Sequence, residues 1–358
     1  AEDLLVLGKI REALEQAQIA RDYYLESGDL ASEAEAFRIE VLAKQDDDEY
    51  GAVTGEPTVK APDIDLLCEI ELARAQAAEC PKAEAILLYT LVEVNVTRPM
   101  HKMRQMSKIW CEDSQRIFRD LGETFWEGRA VLMMVNVLHK FQQPDLMHKY
   151  AQEAYDLFGQ VGDKKRQGMS LHAKSLAYLN DQNPSAAVES GCKALQIYRD
   201  IGDRRLEIAE LKTIAIWRMT LEGKEAKKAA REAVEAVELS RKYTEPNQET
   251  VTLHVALQAL LHIGDRKQAK EIAQVSLKRF EKDPRLNLET TTLKVFLSQL
   301  QGDATDMDLV EGIKSRKQKM HMLIDLAKSH VTHGKFQEAE TCVTEGLEMA
   351  KEFGKTFR

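Results

Sequence analysis

Apolar residues recur at helical spacing along most of the chain, and each apolar stretch ends at a glycine-bearing turn. The turn has nearly the same form in Leu121-Gly122-Glu123, Val161-Gly162-Asp163 and Ile201-Gly202-Asp203. Apolar residues three and four apart predict amphipathic helices, and a glycine that adopts the left-handed conformation ends a helix. A repeat of about 40 residues therefore predicts stacked units of two helices each.

Small or apolar residues seven positions apart mark the second helix of each predicted unit. Helices that carry small residues on one face can approach a neighbour closely, so this spacing predicts the packed face of the unit. The pairs are Ala13 and Ala20, Cys68 and Ala75, Ser107 and Ser114, Met147 and Ala154, Ala187 and Ala194, Ala226 and Ala233, Ala269 and Ser276, Thr305 and Gly312, and Ala339 and Gly346.

One of these units resembles a known repeat family. Leu176-Ala177-Tyr178, followed by Ala187 and Ala194, is similar to the tetratricopeptide repeat superfamily, which places an aromatic residue on the first helix and small residues on the second. The long repeats that end in Gly-Asp resemble those of kinesin light chain and Pins-type adaptors. The resemblance covers nearly the whole chain. It implies an all-α fold, a right-handed superhelical solenoid of stacked antiparallel helix pairs.

The pattern divides the chain into three parts. Residues 1–44 are predicted to form N-terminal helical repeats, and residues 64–358 a continuous helical repeat array. Between them, an acidic cluster leads into Gly51, Gly55, Pro57 and Pro62, which predicts an acidic inserted loop over residues 45–63. A long loop of this kind is either a solvated connection or a docking segment.

Composition narrows the function classes. The formal net charge is −9, and the acidic residues are concentrated in 1–98. Nucleic-acid binding needs a basic stripe, so no nucleic-acid partner is expected. No apolar run reaches the ~20 residues of a membrane span. The five cysteines are scattered singly with no CxxC motif, which indicates an intracellular, reducing compartment, with the cytoplasm favoured over an organelle.

Motifs for catalysis are missing from the sequence. It contains no GxGxxG, P-loop or GxSxG motif, and its glycines fall singly at predicted helix ends. His330 and His333 lie near one helix face, but two histidines without a third ligand do not make a metal site. The chain is therefore predicted not to be an enzyme, with no catalytic residues, no cofactor and no bound metal.

The remaining question is which residues line the groove of the array. In tetratricopeptide arrays the first helices line the concave face, and the resemblance places a polar stripe there. The stripe has no acid, so it would recognise an acidic or extended protein segment by charge-assisted bonds. Its residues are Arg129, Asn136, His139, His172, Lys212, His254, Gln258, His321 and Lys328.

The predicted function is thus a non-catalytic scaffold for protein–protein interaction, binding partners through the concave groove or through outer faces. Two alternatives remain open at this point: an architectural subunit packed against large subunits of an assembly, and a sensor or regulatory repeat region of a larger multidomain protein. The sequence leaves the oligomeric state undetermined.

Overall fold

Helices make up the regular structure of this protein. The computed structural model describes residues 1–6, 8–54, 64–96, 101–221, 223–244, 246–301, 319–320, 323–324, 327 and 336–356, and within them every regular element is helical, which confirms the all-α class. The α-helices are α1 Glu2–Val6, α2 Ile10–Ser27, α3 Leu30–Thr54, α4 Ile64–Ala77, α5 Pro81–Asn95, α6 His101–Asp120, α7 Thr124–Phe141, α8 Pro144–Gln160, α9 Lys164–Asn180, α10 Pro184–Ile201, α11 Arg204–Met219, α12 Lys224–Tyr243, α13 Pro246–His262, α14 Arg266–Phe280, α15 Asn287–Gln301 and α16 Phe336–Thr356. A 3₁₀ turn, Pro284–Leu286, precedes α15.

The helices pack as consecutive antiparallel pairs. We call the odd-numbered helices from α1 to α15 the first helices and the even-numbered ones from α2 to α14 the second helices. Each helix from α5 to α9 packs on the next one, and first helices of successive pairs also touch, as α3 does α5 and α7 does α9. The chain forms two compact units, Ala1–Ile201 and Gly202–Arg358, and each is described here by itself.

The Gly-Asp turn ends one helix and starts the next. Gly162 has φ +74°, a conformation that strains any residue with a Cβ. The backbone N–H of Asp163 donates to the carbonyl of Phe158 at 2.9 Å, which closes α8. The Asp163 side chain then accepts from the backbone N–H of Arg166 at 2.9 Å and caps α9. Gly354 does not end a helix in this way, because α16 continues through it to Thr356.

The small residues seven apart are packed as the pattern predicts. Ala154 and Ala194 have no exposed surface, nor do Ser107 and Ser114 of α6. Ala20 is an exception and is only half-buried. Thr305 and Gly312 lie outside the described residues. The buried face of each second helix is therefore the one that the sequence marks.

Within two successive pairs, a ring on the second helix fills the place of a missing side chain on the first. A Cβ added to Gly128 of α7 would lie 2.9 Å from the ring of Phe158 in α8. A Cβ added to Gly168 of α9 would lie 2.5 Å from the ring of Tyr198 in α10. Both rings are almost completely buried. The glycines are therefore required by packing and not by the backbone conformation.

Between pairs, a buried polar side chain four residues after the turn ties the first helix to the preceding second helix. Arg119 Nε donates to Glu127 Oε1 at 2.7 Å, across the turn from α6 to α7. At the equivalent place between α8 and α9 the two residues are Gly159 and Gln167, and Gln167 Nε2 donates to the Tyr155 carbonyl at 3.3 Å instead. Where a glycine stands in place of the arginine, a glutamine therefore stands in place of the acid.

The segment predicted as an acidic loop begins as helix. Helix α3 runs without a break from Leu30 to Thr54, so it includes the acidic cluster and Gly51. Charged residues are tolerated on an exposed helix face, and a single glycine costs a helix about 1 kcal/mol, which neighbouring turns can offset. Residues 55–63 of the predicted loop lie outside the described residues.

Candidate carboxylate-binding site

Four of the predicted groove residues lie on two first helices of the unit Ala1–Ile201. Arg129, Asn136 and His139 share α7, and His172 lies on α9. Asn136 is exposed, with its amide 3.9 Å from the sulfur of Met133. His139 is half-buried, and burial together with the Lys140 charge lowers its pKa. Arg129 stands apart because only 8% of it is exposed.

The predicted groove residues of the other unit lie on α11 and α13. Lys212 is half-buried on α11. His254 and Gln258 are exposed one turn apart on α13, and their Nε2 atoms are 2.8 Å apart. His321 and Lys328 lie outside the described residues. The structure therefore brings His254 and Gln258 together. Among the described residues, it shows no cluster of charged side chains around Lys212 like the one that surrounds Arg129.

Arg129 forms a pair with Arg38 of α3, and we call these two residues the arginine pair. The Nη2 atoms of both converge on one oxygen, Glu2 Oε1 of α1, at 3.0 Å from Arg129 and 3.1 Å from Arg38. Arg38 also grips Glu93 of α5 with two bonds, from Nε to Oε2 at 2.5 Å and from Nη2 to Oε1 at 2.9 Å. Forked binding of this kind fixes the plane of a guanidinium as well as its position.

Aromatic rings pack against the arginine pair. The Arg129 guanidinium lies 4.7 Å from the ring centre of Trp126 and 5.3 Å from that of Tyr89. Arg38 lies 5.6 Å from the same Tyr89 ring. Rings attract cations through their faces, more strongly where water is excluded. Because α3, α5 and α7 each supply part of this arrangement, it depends on three successive first helices.

The exposure of the side chains shows which member is accessible. Arg38 is 5% exposed, Arg129 9% and Glu93 12%, whereas Glu2 is 43% exposed. The cations are therefore buried and the bridging acid is on the outside. The predicted stripe itself contains no acid, but Glu93 and Glu2, from other positions, contact Arg129 or Arg38.

The site favours ionised carboxylates next to the arginines. Burial opposes the charged form of Glu2, but the charges of Arg38 and Arg129 outweigh it and lower the pKa of Glu2 from 4.5 to about 2. Burial also opposes the charge of Arg38, and Glu93 reverses that effect and raises the arginine's pKa. Burial and the Glu93 charge raise the pKa of Tyr89 to about 12, so its hydroxyl stays protonated.

A third acid faces the same cations. Glu35 of α3 interacts with Arg129 and Arg38, yet burial is the larger effect and raises the pKa of Glu35 above its ordinary value. The surroundings thus disfavour additional negative charge beyond what the arginine pair compensates. In chemical terms the site holds carboxylates next to two buried cations.

Other site types were sought among the described residues. They contain no group of three or more His, Cys, Asp or Glu side chains placed to hold a metal ion. Within the same residues, no helix has the length and apolar character needed to cross a membrane.

Sequence reasoning missed Arg38, although a signal for it exists. His172 and Lys212 each stand nine positions after the aspartate of a Gly-Asp turn, and Arg38 stands nine positions after Asp29 in the same way. The predicted stripe begins on α7, so it includes no residue placed by the first Gly-Asp turn, Gly28-Asp29. Glu93 and Glu2 carry no such signal, because acids are abundant in this part of the chain.

Comparison with known proteins gives relationships of fold alone. No protein-family model matches the sequence, and no curated protein matches it. Solved structures do match. Aspartyl phosphate phosphatase F from Bacillus subtilis superposes with a TM-score of 0.55 at 13% identity, covering 95% of this chain and 90% of that one.

Two further structures match at similar identity. The apo form of the quorum sensor NprR from B. thuringiensis has a TM-score of 0.52 at 12% identity, covering 98% of this chain and 99% of that one. A signal-transduction ATPase with a tetratricopeptide repeat sensor from Pyrococcus horikoshii has a TM-score of 0.53 at 12% identity, covering 97% of this chain and 54% of that one. The chain therefore has the helix-pair repeat fold that its sequence pattern predicts, and these solved structures share that fold.

Proposed function

We propose that this protein is a non-catalytic scaffold that binds partner proteins, and that the arginine pair receives a carboxylate side chain of the partner. One observation carries the proposal. Two buried arginines from different first helices converge on a single carboxylate oxygen that belongs to a separate segment, Glu2 of α1. A protein surface that already accepts a carboxylate from one segment has the geometry to accept it from another.

The construction of the site supports binding over chemistry. Arginine stays charged at all physiological pH values and recognises carboxylates through a planar fork. Glu93, Tyr89 and Trp126 hold the pair in place, so little side-chain entropy is lost when a ligand binds. The five cysteines are free thiols, which fits the reducing compartment that the sequence indicates.

The names of the similar structures fit a role in regulation. One is a quorum sensor and another carries a repeat sensor, so proteins of this fold respond to bound molecules. We extend that general role to this chain as part of the proposal, with an acidic protein segment as the ligand. Phosphatase activity, named for a third similar structure, is not part of the proposal, because that structure is 13% identical to this chain and the likeness is one of fold.

A second candidate function is that of an architectural subunit bound through the second helices. It is favoured by apolar side chains left in solvent on α2 and α4: Tyr23 is 66% exposed, and Leu66 and Ile70 are each 54% exposed. Leu66 and Ile70 are one turn apart and so share a face. Burying such a face against a large subunit would remove apolar surface from water.

A binding experiment tests the leading proposal. Fluorescein-labelled hexaglutamate, capped at both ends, is titrated with the wild type and with Arg129→Gln, and anisotropy is recorded at two salt concentrations. We expect saturable binding that weakens as salt rises and that falls roughly tenfold or more in the variant, because an arginine–carboxylate bond is lost. Arg116→Gln is the control, since Arg116 is 64% exposed and pairs only with Asp113 of its own helix among the contacts seen.

The results separate the two candidate functions. Equal binding by Arg129→Gln and Arg116→Gln would contradict the leading proposal. The proposal would also be contradicted if the wild type did not bind hexaglutamate and removal of the Glu2 carboxylate did not produce binding. Affinity purification from native extract then decides for the second candidate. If Leu66→Glu together with Ile70→Glu removes the captured proteins and Arg129→Gln does not, the second helices are the binding surface.

A further inference from the structure

We propose that α1 competes with the partner for the arginine pair, so that Glu2 is an internal ligand which a partner carboxylate must displace. This inference rests on the proposed function and adds how the site is regulated. The competing groups are chemically the same, a single ionised carboxylate from each side. The charge, the accessibility and the anchoring of Glu2 support exchange.

The charges leave room for one carboxylate besides Glu93. Arg38 and Arg129 bring two positive charges, Glu93 compensates one, and Glu2 compensates the other. Both nitrogens of Arg38 that face α5 are already used by Glu93. A partner acid arriving beside Glu2 would add a further carboxylate to Glu2, Glu93 and the nearby Glu35 around two buried cations, and like charges in one site repel. The partner acid can therefore bind only in place of Glu2.

Glu2 is also the member of the cluster that is easiest to remove. Its side chain is 43% exposed, against 12% for Glu93. An ion pair with one exposed partner is weak compared with a buried one. Displacing Glu2 uncovers the two arginines beneath it, whereas displacing Glu93 would require moving α5 from the core, where Ile86 and Val92 are fully buried.

Helix α1 is weakly anchored as a whole. It packs on α2 and is joined to it through Gly8, at φ +72°. Leu4 and Leu5 are half-buried, so neither of them belongs to the fully buried core. The segment that carries Glu2 can therefore move without taking a fully buried one of these two side chains into water.

Competition in the same chain has a measurable consequence. When an internal group occupies a site for most of the time, the apparent affinity for an external ligand falls in proportion to the fraction of molecules with the site open. Removing the Glu2 carboxylate should therefore strengthen binding of an external carboxylate. Removing a charge elsewhere on α1 should not do so beyond a small general electrostatic effect.

The test uses the capped hexaglutamate titration with the full chain. Glu2→Gln is compared with Asp3→Asn, which removes the same charge from the adjacent exposed residue of α1. We expect Glu2→Gln to bind hexaglutamate roughly fivefold more tightly than the wild type, and Asp3→Asn to change the affinity by less than about twofold. Capped hexaglutamine serves as the uncharged probe and should not distinguish the variants.

Hydrogen exchange provides a second measurement. Saturating hexaglutamate should speed exchange in the wild-type fragment that contains α1, because the helix leaves its place, and should leave α5 unchanged. Equal affinities for Glu2→Gln and Asp3→Asn, or α1 becoming more protected on binding, would overturn the inference. If binding still depends on Arg129 in that case, the proposed function stands without it. If no variant binds hexaglutamate, both are overturned.

Discussion

The two units of this protein each contain a carboxylate held by two arginines, and the two clusters are built in opposite ways. In the unit Gly202–Arg358, Glu249 of α13 has no exposed surface. It is held by Arg241 of α12 at 2.8 Å and by Arg279 of α14 at 3.0 Å, which are 17% and 35% exposed. In the unit Ala1–Ile201, the arginine pair is buried and Glu2 is on the outside.

The difference shows which cluster can exchange a member. Glu249 lies between three successive helices and also accepts a bond from the Ser276 hydroxyl at 2.5 Å. Removing it would leave two cations facing a buried gap, so this cluster serves as a structural tie. In the other cluster the buried members are the cations, and only the acid faces water. A buried receptor group with an exposed ligand is the arrangement expected of a binding site.

The largest expected effect comes from breaking the structural tie. Glu249→Ala should lower the free energy of unfolding by ~3–5 kcal/mol, because loss of one partner leaves buried charges uncompensated. Urea unfolding followed by circular dichroism measures it. Glu281→Ala is the matched control, since Glu281 is 45% exposed and pairs with Lys294. A small loss for Glu249→Ala, similar to that of the control, would mean that the cluster is not a tie.

A smaller effect is expected from the buried side of the other cluster. Arg129→Met should lower the free energy of unfolding by ~2 kcal/mol, because it removes a desolvated contact with the Trp126 and Tyr89 rings. Arg116→Met on the exposed face of α6 should change it by less than about 0.5 kcal/mol. Equal values for the two variants would show that the arginine pair contributes nothing to stability and is held only by its acids.

The exposed side of that cluster should matter least for stability. Glu2→Ala should lower the free energy of unfolding by about 1 kcal/mol or less, since an ion pair with a solvent-exposed partner is screened. The same urea experiment, run beside Glu249→Ala, provides the direct contrast. A loss for Glu2→Ala as large as that for Glu249→Ala would erase the distinction and make Glu2 a structural residue.

The contribution of Glu2 should also depend on pH in a defined direction. Its pKa is lowered in the folded chain to about 2 from 4.5, so its stabilisation is complete above about pH 4.5 and is lost as pH falls toward 2. The other titratable groups around it are Glu93, Glu35 and Tyr89. Because both proteins contain them, their contributions to the pH dependence of stability cancel when the wild type is compared with Glu2→Gln. The stability difference between the two should be constant from about pH 7 to 5 and shrink below that. A difference that grows on acidification would contradict the lowered pKa.

The fold follows from the sequence because its main signals are local. The left-handed glycines at 122, 162 and 202 act at the turn between two consecutive helices, and the small residues at 154 and 194 act along one helix, so a reading of spacing finds them. The contacts of Gly128 with Phe158 and of Gly168 with Tyr198 are also periodic, but a glycine inside a helix shows its reason only when the opposing ring is placed.

The site is harder to predict because its parts come from distant positions. Arg129 is on the predicted stripe, and extending the register would have added Arg38. Nothing in the spacing shows that Glu2 reaches over 127 positions to Arg129, because that contact depends on how α1 packs. Burial is equally non-local: the same arginine that looks like a solvated groove residue in sequence is covered by Tyr89, Trp126 and Glu2 in the structure.

The ion pair between Arg119 and Glu127 means that one repeat cannot simply be exchanged for another. A designer who duplicates the pair α7–α8 and inserts the copy directly after the original would keep the contact between Gly128 and Phe158 within each copy. At the new junction, however, Glu127 of the copy would meet Gly159 where it needs an arginine, and a buried acid would lose its counter-ion. The residues at the junctions therefore determine which repeats can follow one another. A protein with rearranged repeats must exchange both residues of a junction together.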